Sequence, residues 1–181
     1  MDVLRKYSIP YKSLETGTHH FDFKVDDRFF EAFDGSEIHR GNADVRVTLD
    51  KQPHMLTLRF DIRGEAGVEC DRCLGEFMMP VRYDGTLHVR FSATEKESDG
   101  EVMWLSPAET ELDLAQYIYE SICLSLPYQR VHPDDANGRS TCDPDMLSRF
   151  RIVSEEEFGR LAGGAEGPSP WDKLNELKTG K

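Results

Sequence analysis

The chain has 181 residues and carries 34 acidic against 22 basic side chains, a formal net charge of −12. This balance repels polyphosphate and removes most of the counterion-release affinity on which RNA binders rely, so a basic protein partner suits the surface better than bare nucleic acid. Apolar residues make up 38% and charged residues 31%, enough for one domain with a core and long polar segments, and no run approaches the roughly 18 apolar residues of a membrane span.

The opening segment, MDVLRKYSIPYKSLE, has no apolar stretch followed by a small-residue cleavage site, so a cytoplasmic address is expected. Thr18 to Val25 partly alternates apolar and polar residues, as a half-buried strand does. Asp26 and Asp27 then introduce a short helix containing Phe29, Phe30 and Phe33. Ala43 to Leu49 and His54 to Ile62 both alternate cleanly and flank Lys51-Gln52-Pro53, the pattern of a hairpin. A third run, Met78 to Phe91, has Val81, Tyr83, Leu87, Val89 and Phe91 at mostly even spacing and is expected to break at Asp84-Gly85, as a bulge or a turn.

Cys70-Asp71-Arg72-Cys73 falls on the connection between the second and third of these runs. Residues 92–101 form a polar, acidic excursion expected to be mobile, and Val102 to Leu105 adds a short strand. The clearest helix runs from Asp113 to Leu126. Asp113 can cap it, Gln116 completes a box-like pair, and Leu114, Ile118 and Ile122 recur at helical spacing before Pro127 ends it. Tyr128 to Asp145, rich in Pro, Asp, Asn and Gly, reads as a loop. Residues 154–169 read as a linker, and Trp171, Leu174 and Leu177 mark a short amphipathic helix over 170–181, too short to stand alone. The expected architecture is α+β: an antiparallel sheet core with a few packed helices, in a single domain over 1–153 with a C-terminal tail helix.

His19, His20, His39, His54 and His88 have no ligand spacing to one another and read as solvated or strand-face residues. Cys123 lies among Ile122, Leu124 and Leu126 and reads as core packing. The chain contains no nucleophile elbow, phosphate-binding glycine loop or zinc-protease helix, so no catalytic residue and no small-molecule substrate are expected. Glu109, Glu111, Asp113 and Glu120 read either as a solvated face or as a face for a basic protein.

Several segments, in order, resemble the YceD family, the large ribosomal RNA subunit accumulation proteins of bacteria. They are Val68 to Leu74 with its C-x-R-C connection, then Phe77 and Pro80; Glu111 to Leu114 running through Glu120 to Leu124-Ser125-Leu126-Pro127; His132 followed by Cys142; and Ser169-Pro170-Trp171 with Leu174 and Leu177. The resemblance covers most of the chain from about residue 40. It implies a non-catalytic role in producing or stabilising the large ribosomal RNA, with ribosomal or rRNA-associated proteins as partners. Many members of the family carry a cysteine, or a tighter cluster of cysteines, in the loop after the helix, where this chain has His132 and Cys142 with Pro133 to Thr141 between them.

Cys-x-x-Cys sets two sulfurs on one tight turn, and zinc takes four tetrahedral ligands from thiolate and imidazole. Cys70 and Cys73, with His132 and Cys142, are therefore the candidate ligands of a structural zinc, provided the loop after the helix folds back onto the strand connection. The alternatives are a zinc-dependent or thiol-redox protein of unrelated role, the redox pair being Cys70 and Cys73, and a direct RNA-binding module.

Overall fold

In a computed structural model, residues 3–93, 102–149 and 157–158 are described. In chain order, a 3-10 turn leads into β1 (Ser8–Ile9), a second turn follows, and then come β2 (Gly17–Val25), α1 (Asp27–Glu31), β3 (Gly41–Lys51), β4 (Met55–Glu69) and β5 (Glu76–Phe91). After them come β6 (Val102–Leu105), β7 (Leu112–Asp113), α2 (Ala115–Ser125) and α3 (Pro144–Arg149). The main sheet has the order β2-β3-β4-β5-β6, and β1 pairs with β7 in a separate two-stranded ladder. Its first three pairings are antiparallel and the last, β5 with β6, is parallel, so the sheet is mixed and not purely antiparallel. Alternation within a strand marks its faces and not its direction, so the parallel pairing of β6 could not be read from it.

The period-2 pattern explains which face is buried. Ala43, Val45, Val47 and Leu49 on β3, and Leu56, Leu58, Phe60 and Ile62 on β4, are all buried, while the residues between them face outward. Across this face lie Leu114, Ile118 and Ile122 of the α2 segment, buried at the spacing of one helical face. Tyr117 packs on Phe60 at 4.6 Å between ring centroids, and its hydroxyl lies 2.8 Å from that of Tyr83. Asp26 caps α1 by accepting from the Phe29 N–H, and Phe29 packs edge-on against Tyr7 at 4.6 Å.

Two local readings differ from the sequence expectation. Asp113 accepts the Ala115 N–H at 2.9 Å, but it does so from β7, and Gln116 donates to Glu120 one turn on instead of reaching back to close a capping box. β5 runs unbroken through Asp84 and Gly85, which pair with Asp61 and Phe60. The glycine is there because the Tyr83 ring lies over it, where any Cβ would collide.

By its internal contacts the chain divides into two units, Met1–Asp143 and Pro144–Lys181; in the second, the described residues are α3 and a helical pair at Glu157 and Phe158. Most of the acidic excursion, the greater part of the linker and the whole C-terminal helix anticipated from the sequence lie outside the described residues. Among the described residues no helix is long and apolar enough to cross a membrane.

Candidate metal centre

The connection between β4 and β5 is a knuckle. Cys70 donates its N–H to the Gly75 carbonyl at 3.0 Å, Leu74 donates to the Cys70 carbonyl at 2.9 Å, and the Arg72 N–H points at Cys70 Sγ at 3.5 Å. Closing so short a turn requires a left-handed residue, and Leu74 takes that conformation at φ 59° with more than half of its side chain exposed.

The tract beyond Pro127 crosses this knuckle. Asp71 donates its N–H to the Arg130 carbonyl at 2.7 Å and accepts the Arg130 N–H on its carboxylate at 2.6 Å, a two-way clasp between segments 59 residues apart in sequence. The tract then forms a tight hairpin. Asp134 and Ser140 make a bridge, the Asp135 carboxylate accepts the N–H groups of Asn137 and Arg139, and Gly138 takes a positive φ at the turn. These bonds hold the Asp135 carboxyl below its ordinary range, the Arg139 N–H contributing most. His132 and Cys142 stand at the two ends of this hairpin, which closes the wide gap between them.

Cys70, Cys73, His132 and Cys142 therefore come together, with one ligand atom of each within 4.8 Å of all the others. The three thiols are buried and the imidazole is half-buried, its ring tilted over Phe77 at 4.6 Å. Cys70 Sγ is 3.7 Å from Cys142 Sγ, and His132 Nδ1 is 3.4 Å from Cys73 Sγ and 3.8 Å from Cys142 Sγ. A regular tetrahedron of ligands at about 2.3 Å for sulfur and about 2.0 Å for nitrogen has edges of about 3.5–3.8 Å. The donor types and these three edges fit a four-coordinate zinc with no contribution from solvent.

The electrostatics agree with the geometry. Burial pushes the Cys70 thiol up, but the N–H groups of Arg72 and Cys73 and the contacts of His132 outweigh it, lowering the thiol from 9.0 to about 6. For Cys142 a hydrogen bond with Ser140 pulls the thiol down, yet burial and the neighbouring Cys70 and Cys73 drive it up. One thiolate is thus favoured and a second is resisted, and a divalent cation removes that resistance.

The other sequence candidates fall elsewhere. His19 contacts the Glu15 carbonyl, and His20 and His88 pair with Thr48 and Thr57 on the exposed sheet face. Cys123 is half-buried against the core, its thiol pushed up chiefly by burial. Glu109, Glu111, Asp113 and Glu120 are exposed. A cleft of about 600 Å³ lined by Asp26, Asp27, Arg40, Asn42, Glu65 and Met78 lies away from the thiols. Within it Asp27 accepts the Gly41 N–H and Asn42 donates to Glu65, while Asp26 and Arg40 pair with Lys6 and Glu76.

A family model described as "Large ribosomal RNA subunit accumulation protein YceD" matches residues 58–178, well over half of the chain. The chain belongs to the YceD family. The matched span includes all four clustered candidate ligands and α2, but begins within β4, so β2 and β3 lie outside it. No curated protein and no solved structure matches the chain. The family is described by an accumulation role and not by a reaction. The thiol cluster was legible as a donor set; the Asp71–Arg130 clasp beside it carried no sequence signal, since a lone Asp and a lone Arg fit any loop.

Proposed function

We propose that this protein is a non-catalytic cytoplasmic factor that supports accumulation of the large ribosomal RNA. It acts through contacts with ribosomal or rRNA-associated proteins, and Cys70, Cys73, His132 and Cys142 hold a structural zinc ion. The observation that carries the reading is that one family match spans both the knuckle and the loop that completes the cluster. Four protein donors leave no open coordination position for a substrate or an activated water, which favours a structural ion over a catalytic one. The exposed carboxylates of Glu109, Glu111, Asp113 and Glu120 suit a basic protein. Zinc would fasten the 128–142 tract to the sheet and so keep a defined surface on that side of the domain.

The test is a strain lacking this chain. The expected result is a lowered ratio of large to small ribosomal RNA, restored by the wild-type chain and not by a Cys70→Ser, Cys142→Ser variant, with one zinc per chain in protein purified without chelator. An unchanged RNA ratio in the deletion strain overturns the functional reading. Absence of bound metal overturns the zinc.

A further inference from the structure

The two edges of the main sheet differ. One is β6, only four residues long; the other is β2, nine residues without proline. The hydrogen-bond phase of β2 follows from its neighbours. Gly67 donates its N–H to the Arg40 carbonyl at 2.7 Å, one step beyond the Gly41–Ala66 pairing of β3 with β4. Bonded and non-bonded pairs alternate along an antiparallel ladder. Asn42, Asp44, Arg46, Thr48 and Asp50, in phase with Arg40, therefore bond toward β4, and Ala43, Val45, Val47, Leu49 and Lys51 bond toward β2. Their partners are Val25, Phe23, Phe21, His19 and Gly17. The remaining residues of β2, Thr18, His20, Asp22 and Lys24, thus aim N–H and C=O away from the sheet. The Lys24 carbonyl accepts the Tyr7 hydroxyl at 2.9 Å, as this phase requires. Among the described residues no other hydrogen bond reaches the backbone of these four.

The side chains show the same open edge. Phe21 and Phe23 point to the core face but are only half-buried, although Val47 and Val45 opposite them are fully buried. Among the described residues no strand pairs with the outer side of β2, and only Tyr7 reaches it, packing on Phe23 at 5.8 Å between ring centroids. An edge open from Thr18 to Asp22 and carrying half-covered aromatics is a template for strand addition.

We propose that β2 pairs antiparallel with β2 of a second copy of this chain, joining two five-stranded sheets across a twofold axis at Phe21. In this register His20 faces Asp22 of the second copy, Thr18 faces Lys24, and Phe21 faces Phe21. Because outward-bonding residues must meet one another, the register can slip only in steps of two. One step sets Asp22 against Asp22, and the opposite step sets His20 against His20, so one register sets an imidazole against a carboxylate and its neighbours place like groups together. Phe21 then sits in a closely spaced non-bonded pair, with Cα atoms about 4.5 Å apart, where the two rings cover each other. This edge precedes residue 58, so the pairing belongs to the part of the chain outside the family match.

Sedimentation of the full-length, metal-loaded protein over a concentration series tests the proposal. The expected result is a monomer–dimer equilibrium. His20→Pro removes a donor that faces outward and leaves the ladder to β3 intact, so it should weaken the dimer at least about tenfold. Asp22→Lys should weaken it about fivefold, and combining it with His20→Asp should restore it to within about twofold, since Asp then faces Lys. Circular dichroism of each variant checks the fold. Amide exchange of the unmodified protein gives a second readout: the Thr18, His20 and Asp22 amides should slow as concentration rises, while those of Phe21 and Phe23 are protected throughout. A wild-type chain that stays monomeric into the millimolar range overturns the proposal. So does a dimer indifferent to His20→Pro in a folded variant, or exchange at Thr18, His20 and Asp22 that does not respond to concentration.

Discussion

The sheet layer and the thiol corner hold the same domain together in different ways. Across the sheet, fully buried Val45, Leu49, Leu58 and Ile62 share one apolar core with Ile118 of α2, and each such side chain contributes roughly 1.5–3 kcal/mol by leaving water. At the corner, a tract rich in Pro, Asp and Gly is held by one backbone clasp, one aspartate-centred turn and four donor atoms. It has little apolar area to bury, so an ion held by these donors would add much of its order. An apolar core is redundant and survives the loss of a contact. A single coordination sphere does not.

This contrast makes dependence run one way. The largest effect is expected from Leu58→Ala on β4, which should lower global stability by about 3 kcal/mol in a denaturant melt and shift the core and the 128–142 tract together. Next, Cys142→Ser or chelation should speed amide exchange in residues 128–142 by about tenfold or more while the β3 and β4 core amides keep their protection. If the core amides open with the tract, the corner supports the sheet and the contrast fails.

Protons offer a gentler probe of the metal-free protein. The Cys70 thiol is lowered from 9.0 to about 6, so its thiolate contributes stability that is full above 9.0, shrinks as pH falls and is gone below about 6. The urea midpoint of the metal-free chain should therefore rise with pH across this window, and Cys70→Ser should flatten the slope. The smallest effect is expected at Leu74. Its left-handed backbone makes Leu74→Gly stabilising by up to about 1 kcal/mol, measurable as a higher thermal midpoint with zinc content unchanged.

Much of the fold was legible in the chain because it rests on local periods. Alternation located β2, β3, β4 and β5, and the spacing of Leu114, Ile118 and Ile122 located α2, since a face that must be buried leaves a regular mark. Gly85 was misread as a break because a glycine that makes room for an overlying ring looks in sequence like one that turns the chain. The two-residue strands β1 and β7 left no mark, being too short to show a period.

The candidate site divides along the same line. The Cys-x-x-Cys spacing named Cys70 and Cys73 as donors, and residue chemistry with the family resemblance added His132 and Cys142. Only the tertiary structure decided that they meet, through the Asp71–Arg130 clasp and the Asp135 turn, and that β6 runs parallel to β5 and leaves β2 as the long open edge. Short-range order follows from the water each residue avoids, which its neighbours in sequence share. Which distant segments touch depends on chain reversals and single hydrogen bonds that no repeating pattern records.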